Sequence, residues 1–255
     1  MKKLRIFLVF LIAFPVLDTK AQSFYEHEFS LNVGVFQLRS DYGVRDDNET
    51  NFGNQGTAIS LSYYYNPAFL RSDYFFNKYF KYRLNLMYSS VNLQHYGPFV
   101  DDPRLEAMTG SYKNFTISNG LEFYPLKIKT QKLYQAGGFF NDFLPFLGVG
   151  IGVNFVTPEA VSSLDGGLSN IDNIFPTFIS ETSDNGINVE KQTVLSLNLR
   201  AGLRYKMNIQ SELVLESGWM FFNSDFVDGL SPVGPQNKSS DWSWGINLGY
   251  SYLLF

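Results

Sequence analysis

From His27 onward the chain repeats one pattern, in which short runs of apolar residues alternating with small or polar ones are each followed by a polar stretch. In His27 to Val35, the residues Phe29, Leu31, Val33 and Val35 share one face and Glu28, Ser30, Asn32 and Gly34 the other. Period two is the mark of a β-strand with unlike faces. Ile59, Leu61, Tyr63 and Tyr65 repeat it, as do Leu84, Leu86 and Tyr88 against Arg83, Asn85 and Met87. After Tyr88 the phase shifts at Ser89-Ser90, where a bulge is predicted. Further runs follow at Phe115–Phe123, Leu147–Phe155, Leu195–Lys206, Glu212–Phe221 and Trp242–Tyr252. In the Leu147 run, Gly148, Gly150 and Gly152 make a G-x-G-x-G string. No helical pattern follows it, so the strand–turn–helix context of a phosphate loop is missing and the glycines mark the small face of a strand.

Eight such segments return both ends of the chain to one side of a sheet. The gaps at 39–55, 95–112, 156–190 and 224–240 are long and polar, while those at 67–79, 125–142 and 207–210 are shorter or less polar. Long loops alternating with shorter turns fit an outer-membrane barrel. Within 67–79, the aromatic run Tyr74 to Phe80 is expected to hold a short helix or an extra hairpin at the inner interface. Composition then chooses between a membrane barrel and a soluble sandwich. The polar faces are rich in Gly, Ser and Asn, whereas a solvated surface would be about a quarter to a third charged. Small residues suit the narrow lumen of an eight-stranded barrel. The apolar faces end in Tyr, Trp and Phe, as aromatic girdles do.

The first residues add a compartment. Lys2, Lys3 and Arg5 precede an uncharged stretch from Ile6 to Phe14, and Ala21-Gln22 supplies a cleavage point, the order of a secretory signal. The apolar run is too short to span a bilayer, which takes roughly 20 residues. The reading is therefore a signal peptide at 1–21 and, at 22–255, one all-β domain. That domain is a single antiparallel up-and-down transmembrane β-barrel of about eight strands in the outer membrane of a Gram-negative bacterium, in contact with its lipid. Without residues 1–21 the chain keeps 16 basic and 23 acidic side chains, a net of −7, which leaves no electrostatic case for nucleic acid. There is no Cys, so neither disulfides nor thiolate chemistry is available.

Parity places Glu28, Arg83, Glu122, Arg200, Arg204, Glu212 and Glu216 on the lumen side, with Lys206, in near balance of sign, and these are expected to pair across the interior. Barrel hydrolases and acyltransferases generally need a His beside a nucleophile or carboxylate; the only histidines are His27 and His95, and no nucleophile or acid is marked out beside either. No catalytic residue, cofactor or metal ligand is assigned, and the chain is expected not to be an enzyme. The acidic loop from Thr157 to Glu190 lacks the ordered spacing of a calcium loop. Its apolar residues, among them Ile174, Phe175 and Phe178, are expected to dock on a partner or on the barrel rim.

His27-Glu28, followed by Ser40-Asp41-Tyr42-Gly43, Asn51 to Asn54 and Gly56, resembles small outer-membrane β-barrels of Bacteroidota, themselves distantly similar to the PorG-type barrels of type IX secretion. The resemblance implies a non-enzymatic assembly component of a secretion or gliding machine, with periplasmic or secretion-machine proteins as partners. A small-solute pore and a lipid-modifying barrel enzyme are the alternatives. The closing segment from Asp241 carries Ile246, Leu248, Tyr250, Tyr252 and Leu254 on one face, one residue out of phase with the terminal Phe255, so either that residue leaves the lipid face or the strand bulges near its end.

Overall fold

A computed structural model of the chain describes residues 27–43, 48–66, 74–96, 102–126, 128, 143–170, 186–208, 210–231 and 240–254. The signal segment, Phe255 and the apolar residues Ile174, Phe175 and Phe178 lie outside the described residues. The strands are β1 (His27–Arg39), β2 (Gln55–Tyr65), β3 (Phe80–Gln94), β4 (Met108–Phe123), β5 (Phe143–Ser162), β6 (Gln192–Lys206), β7 (Ser211–Phe222) and β8 (Trp242–Leu253). Each is antiparallel to its neighbours in sequence, and β1 pairs with β8 from Glu28↔Leu253 to Arg39↔Trp242, closing the barrel. Closure leaves no strand edge unpaired, as a lipid environment requires. Short helices α1 (Asn48–Gly53), α2 (Phe75–Tyr79) and α3 (Pro103–Glu106) sit in the connections.

The outward faces are apolar. Leu31, Val33, Val149, Ile151, Leu195 and Leu248 are all about half exposed, while the inward Ser30, Asn32, Ser62, Asn154 and Ser251 are buried. A soluble barrel would show the reverse, so the outside of this one is built for hydrocarbon. On β6 the outward apolar run from Leu195 to Tyr205 covers ~33 Å of strand, or ~25 Å along the membrane normal at a tilt of ~40°. On β5 the outward series is apolar through Phe155 and turns polar at Thr157 and Glu159, the latter paired with Lys113 of β4 at 3.1 Å. Rings mark both boundaries. Phe115 and Phe155 stack at 6.4 Å near one, and Phe143 and Tyr205 meet at 4.9 Å at the other. The boundary carrying Phe155 belongs to the loop end of the barrel, and that carrying Tyr205 to the turn end. Helix α2 lies at the turn end with Phe75 and Phe76 exposed, and Phe76 stacks on Phe80 at 4.7 Å.

Two sequence expectations need correction. No bulge interrupts β3, whose ladder to β4 runs unbroken from Phe80↔Phe123 to Gln94↔Thr109. What changes after Ser90 is the environment: the strand has left the lipid band, its outward residues become polar, and inward Val91 and Leu93 pack into an apolar core. The gaps at 95–112 and 156–190 are also shorter than expected, because β4 begins at Met108 and β5 continues to Ser162. Strand β8 is regular to Leu253, which points inward, and Leu254 is exposed.

Candidate functional site

The lumen is filled in three layers, and each follows from what the inward faces carry at that height. At the turn end lies an ion network. Glu28 of β1 accepts from Lys81 of β3 at 2.7 Å, and also from Arg204 of β6 and Ser251 of β8. Arg204 reaches on to Glu212 of β7 at 3.1 Å and Glu122 of β4 at 3.3 Å. Glu122 accepts from Arg83 at 3.1 Å and from the Tyr124 hydroxyl at 2.6 Å, and Arg83 donates across the barrel to Glu216. The aromatic rings of Tyr64 and Phe146 flank the Arg204 guanidinium at 4.4 and 5.6 Å, bringing β2 and β5 into the same cluster. All eight strands thus contribute to one plug, in which Arg83, Arg204 and Glu122 are almost wholly buried.

A polar layer follows. Asn32 bonds Ser60 at 3.2 Å, Ser62 bonds Asn85 at 2.8 Å, and Asn154 joins Thr116 and Ser196 at 2.8 and 2.9 Å. Asn114 donates to Asn154 at 3.2 Å inside the barrel. Above this layer, Phe36, Leu38, Leu93, Met108, Tyr112, Val156, Val194 and Phe222 form an apolar plug. It is capped by Tyr42 from the β1–β2 loop and by Val227 and Leu230 from the β7–β8 loop. That second loop is tied down by Leu230 bridging to Ile187 and by the Asp41 amide donating to Asp228 at 2.7 Å.

The seven lumenal charges read from parity all lie inside the barrel, with Lys206 at its turn end, 3.9 Å from Glu212. Six of the seven share the network; Arg200 does not. Sequence reasoning missed Lys81, although it lies two residues before Arg83 and so on the same face, and it missed the rings of Tyr64 and Tyr124. The motif residues divide between the two ends. His27 Nδ1 bonds the Tyr63 hydroxyl at 2.7 Å, and Glu28 sits at the hub of the ion network. Ser40 Oγ accepts from the Tyr42 amide at 3.3 Å, and Gly43, at φ 81°, takes a left-handed turn that L side chains rarely adopt. Asn54 grips both the N–H and the C=O of Gln94 at 2.9 Å.

His95 is held by the same loop. Its Nδ1 accepts from the Gly43 N–H at 2.9 Å and its ring lies 5.1 Å from that of Tyr42, so the proton sits on Nε2. Burial lowers its pKa to about 4. The unfolded chain takes up this proton near 6.5 and the folded one only near 4, so the contact is fully stabilising above ~6.5 and weakens as pH falls toward 4. Titration of the His95 ring in micelles by NMR should give a midpoint near 4, with the β1–β2 loop becoming protease-sensitive only below it; a midpoint near 6.5 would contradict the contact. Among the described residues, carboxylate oxygens of Asp41, Asp225 and Asp241 lie within 4.8 Å of one another and are the groups that could hold a cation. Asp241 and Asp225 are also used within the loop, accepting from the Val227 amide at 3.1 Å and the Ser231 hydroxyl at 2.9 Å.

No family model and no curated protein matches the chain. Among solved structures it is similar to Neisserial surface protein A, with 12% identity and a TM-score of 0.46 over 90% of this chain and 97% of that one. It is also similar to Ail of Yersinia pestis, the attachment invasion locus protein, with 15% identity and a TM-score of 0.42 over 89% and 98%. OprG of Pseudomonas aeruginosa, an outer membrane protein, gives 14% identity and a TM-score of 0.42 over 89% and 97%.

Proposed function

We propose that the chain is a non-conducting, non-enzymatic barrel of a Gram-negative outer membrane that serves as a rigid anchoring element for partner proteins of the envelope. The observation that carries this reading is the double closure of the lumen by an ion network and an apolar plug. A pore needs a continuous wet path, and eight strands leave side chains just filling the interior. A barrel hydrolase needs a base within reach of a nucleophile, whereas the one hydrogen bond of His95 among the described residues comes from a backbone amide. Anchoring asks only for a stiff body and exposed ends, and a plug joining all eight strands supplies the stiffness. The periplasmic secretion-machine partner implied by the PorG-type resemblance is the candidate at the turn end.

The test is site-specific photo-crosslinking in native membranes. Met207, half exposed in the β6–β7 turn, should capture one defined envelope protein, whereas lipid-facing Val149 should not. No captured protein at Met207 or at other turn-end positions would remove the anchoring role.

A further inference from the structure

One buried cation of the lumen, Arg200, has no carboxylate within ion-pair distance among the described residues, and it lies beside a cavity. Among the described residues, Lys81, Arg83, Arg200 and Arg204 are buried with Glu28, Glu122, Glu212 and Glu216, four of each sign; Lys206 is part-exposed at the turn end, and Asp228 and Asp241 are buried at the loop end. Every cation but Arg200 reaches a carboxylate. Arg200 is only 7% exposed, yet its Nε and Nη2 have no hydrogen-bond partner, and neither does Nδ2 of Asn198, the next inward residue of β6. Both side chains line a cavity of ≈ 70 Å³ between the ion network and the apolar plug. Glu216 borders the same space, but both of its oxygens are bonded to Arg83. Gly218 keeps the space open: a Cβ there would find its nearest atom, Arg200 Cγ, at 3.9 Å.

The unsatisfied groups are all donors, since neither a guanidinium nor an amide nitrogen can accept. Their complement is an acceptor. Water could supply lone pairs but brings no charge of its own to the guanidinium, whose nearest carboxylates, Glu122 and Glu216, are bonded to Arg83 and Arg204. The cavity is far below the roughly 300 Å³ of an ordinary small-molecule pocket. We propose that it is a site for a small inorganic anion of halide size, held by Arg200 and Asn198. Because plugs lie on both sides, the ion enters during folding or through local opening. This site is independent of the anchoring role, and its failure would leave that role untouched.

The chain refolded into detergent in sodium bromide and crystallised should show an anomalous bromide peak within hydrogen-bonding reach of Arg200 Nη2. At constant ionic strength, exchanging gluconate for bromide should raise the urea midpoint of the wild-type barrel to a plateau, and Arg200→Gln should lose both the peak and the saturable rise. A wild-type cavity holding water alone, or an equal rise in both proteins, would overturn the proposal. If Arg200→Gln does not fold, the wild-type anomalous map decides by itself.

Discussion

Arg204→Met should lower the unfolding free energy of the barrel by about 3–5 kcal/mol, the usual effect of removing one partner from a buried ion pair. Arg204 is the junction of the ion network. It touches Glu28, Glu122 and Glu212, all buried, and Tyr64 covers its guanidinium. Methionine fills similar volume, so what is lost is charge compensation and not packing. Lys81 and Arg83 still hold Glu28 and Glu122, but the negative charges then outweigh their nearby partners. Adding Glu28→Gln to Arg204→Met should recover part of the loss, because it removes a carboxylate that no longer has its main partner. Arg204→Lys should fall between, since an ammonium lacks the planar fork that engages several carboxylates at once. Urea unfolding in phospholipid vesicles measures all three. A loss under about 1 kcal/mol for Arg204→Met would mean that the network is not a stabilising plug.

The second large effect concerns the outer face. Val149 lies midway along the apolar run of β5, between Phe143 and Phe155, with half its surface exposed. An arginine there would sit near the bilayer midplane and should destabilise the folded, inserted state by about 2–4 kcal/mol, against 0–1 near an interface. Thr157→Arg, on the same face of the same strand but beyond the Phe155 ring, should therefore be nearly neutral. In detergent the difference between the two variants should shrink, because a micelle deforms around a charge more readily than a bilayer. Equal effects at the two positions would mean that the apolar band does not end where the aromatic rings place it.

How much of this was legible in the chain depends on what the period-two pattern encodes. Alternation identifies two faces and not which is inside, so Phe29 to Val35 gave a strand at once, while the in–out assignment needed the composition of the polar face. Glu28, Arg83, Glu122 and Arg204 followed from the same parity because a charge has nowhere else to go in a lipid-bound strand. The reading broke at Val91 and Leu93, where apolar residues change meaning. Within the membrane they face lipid, and beyond it they face a core, so an unbroken strand looked like a phase slip. The same effect hid the start of β4, where Met108 and Tyr112 are inward and Gly110 leaves room that a Cβ would take from the Tyr42 hydroxyl and the Glu159 carbonyl. That the charges pair across the lumen was legible from their near balance of sign, but which pairs with which was not. Arg200 and Arg204 are two periods of the pattern apart on one face, yet among the described residues Arg204 pairs with three carboxylates and Arg200 with none, a distinction set by which residues of the seven other strands arrive at each height.

Closure of the lumen is tested by single-channel recording of the purified barrel in planar bilayers. The double plug predicts no steady unitary steps above the bare-membrane background across the accessible voltage range. Reproducible steps of fixed size, scaling with salt concentration, would contradict it and make the chain a pore.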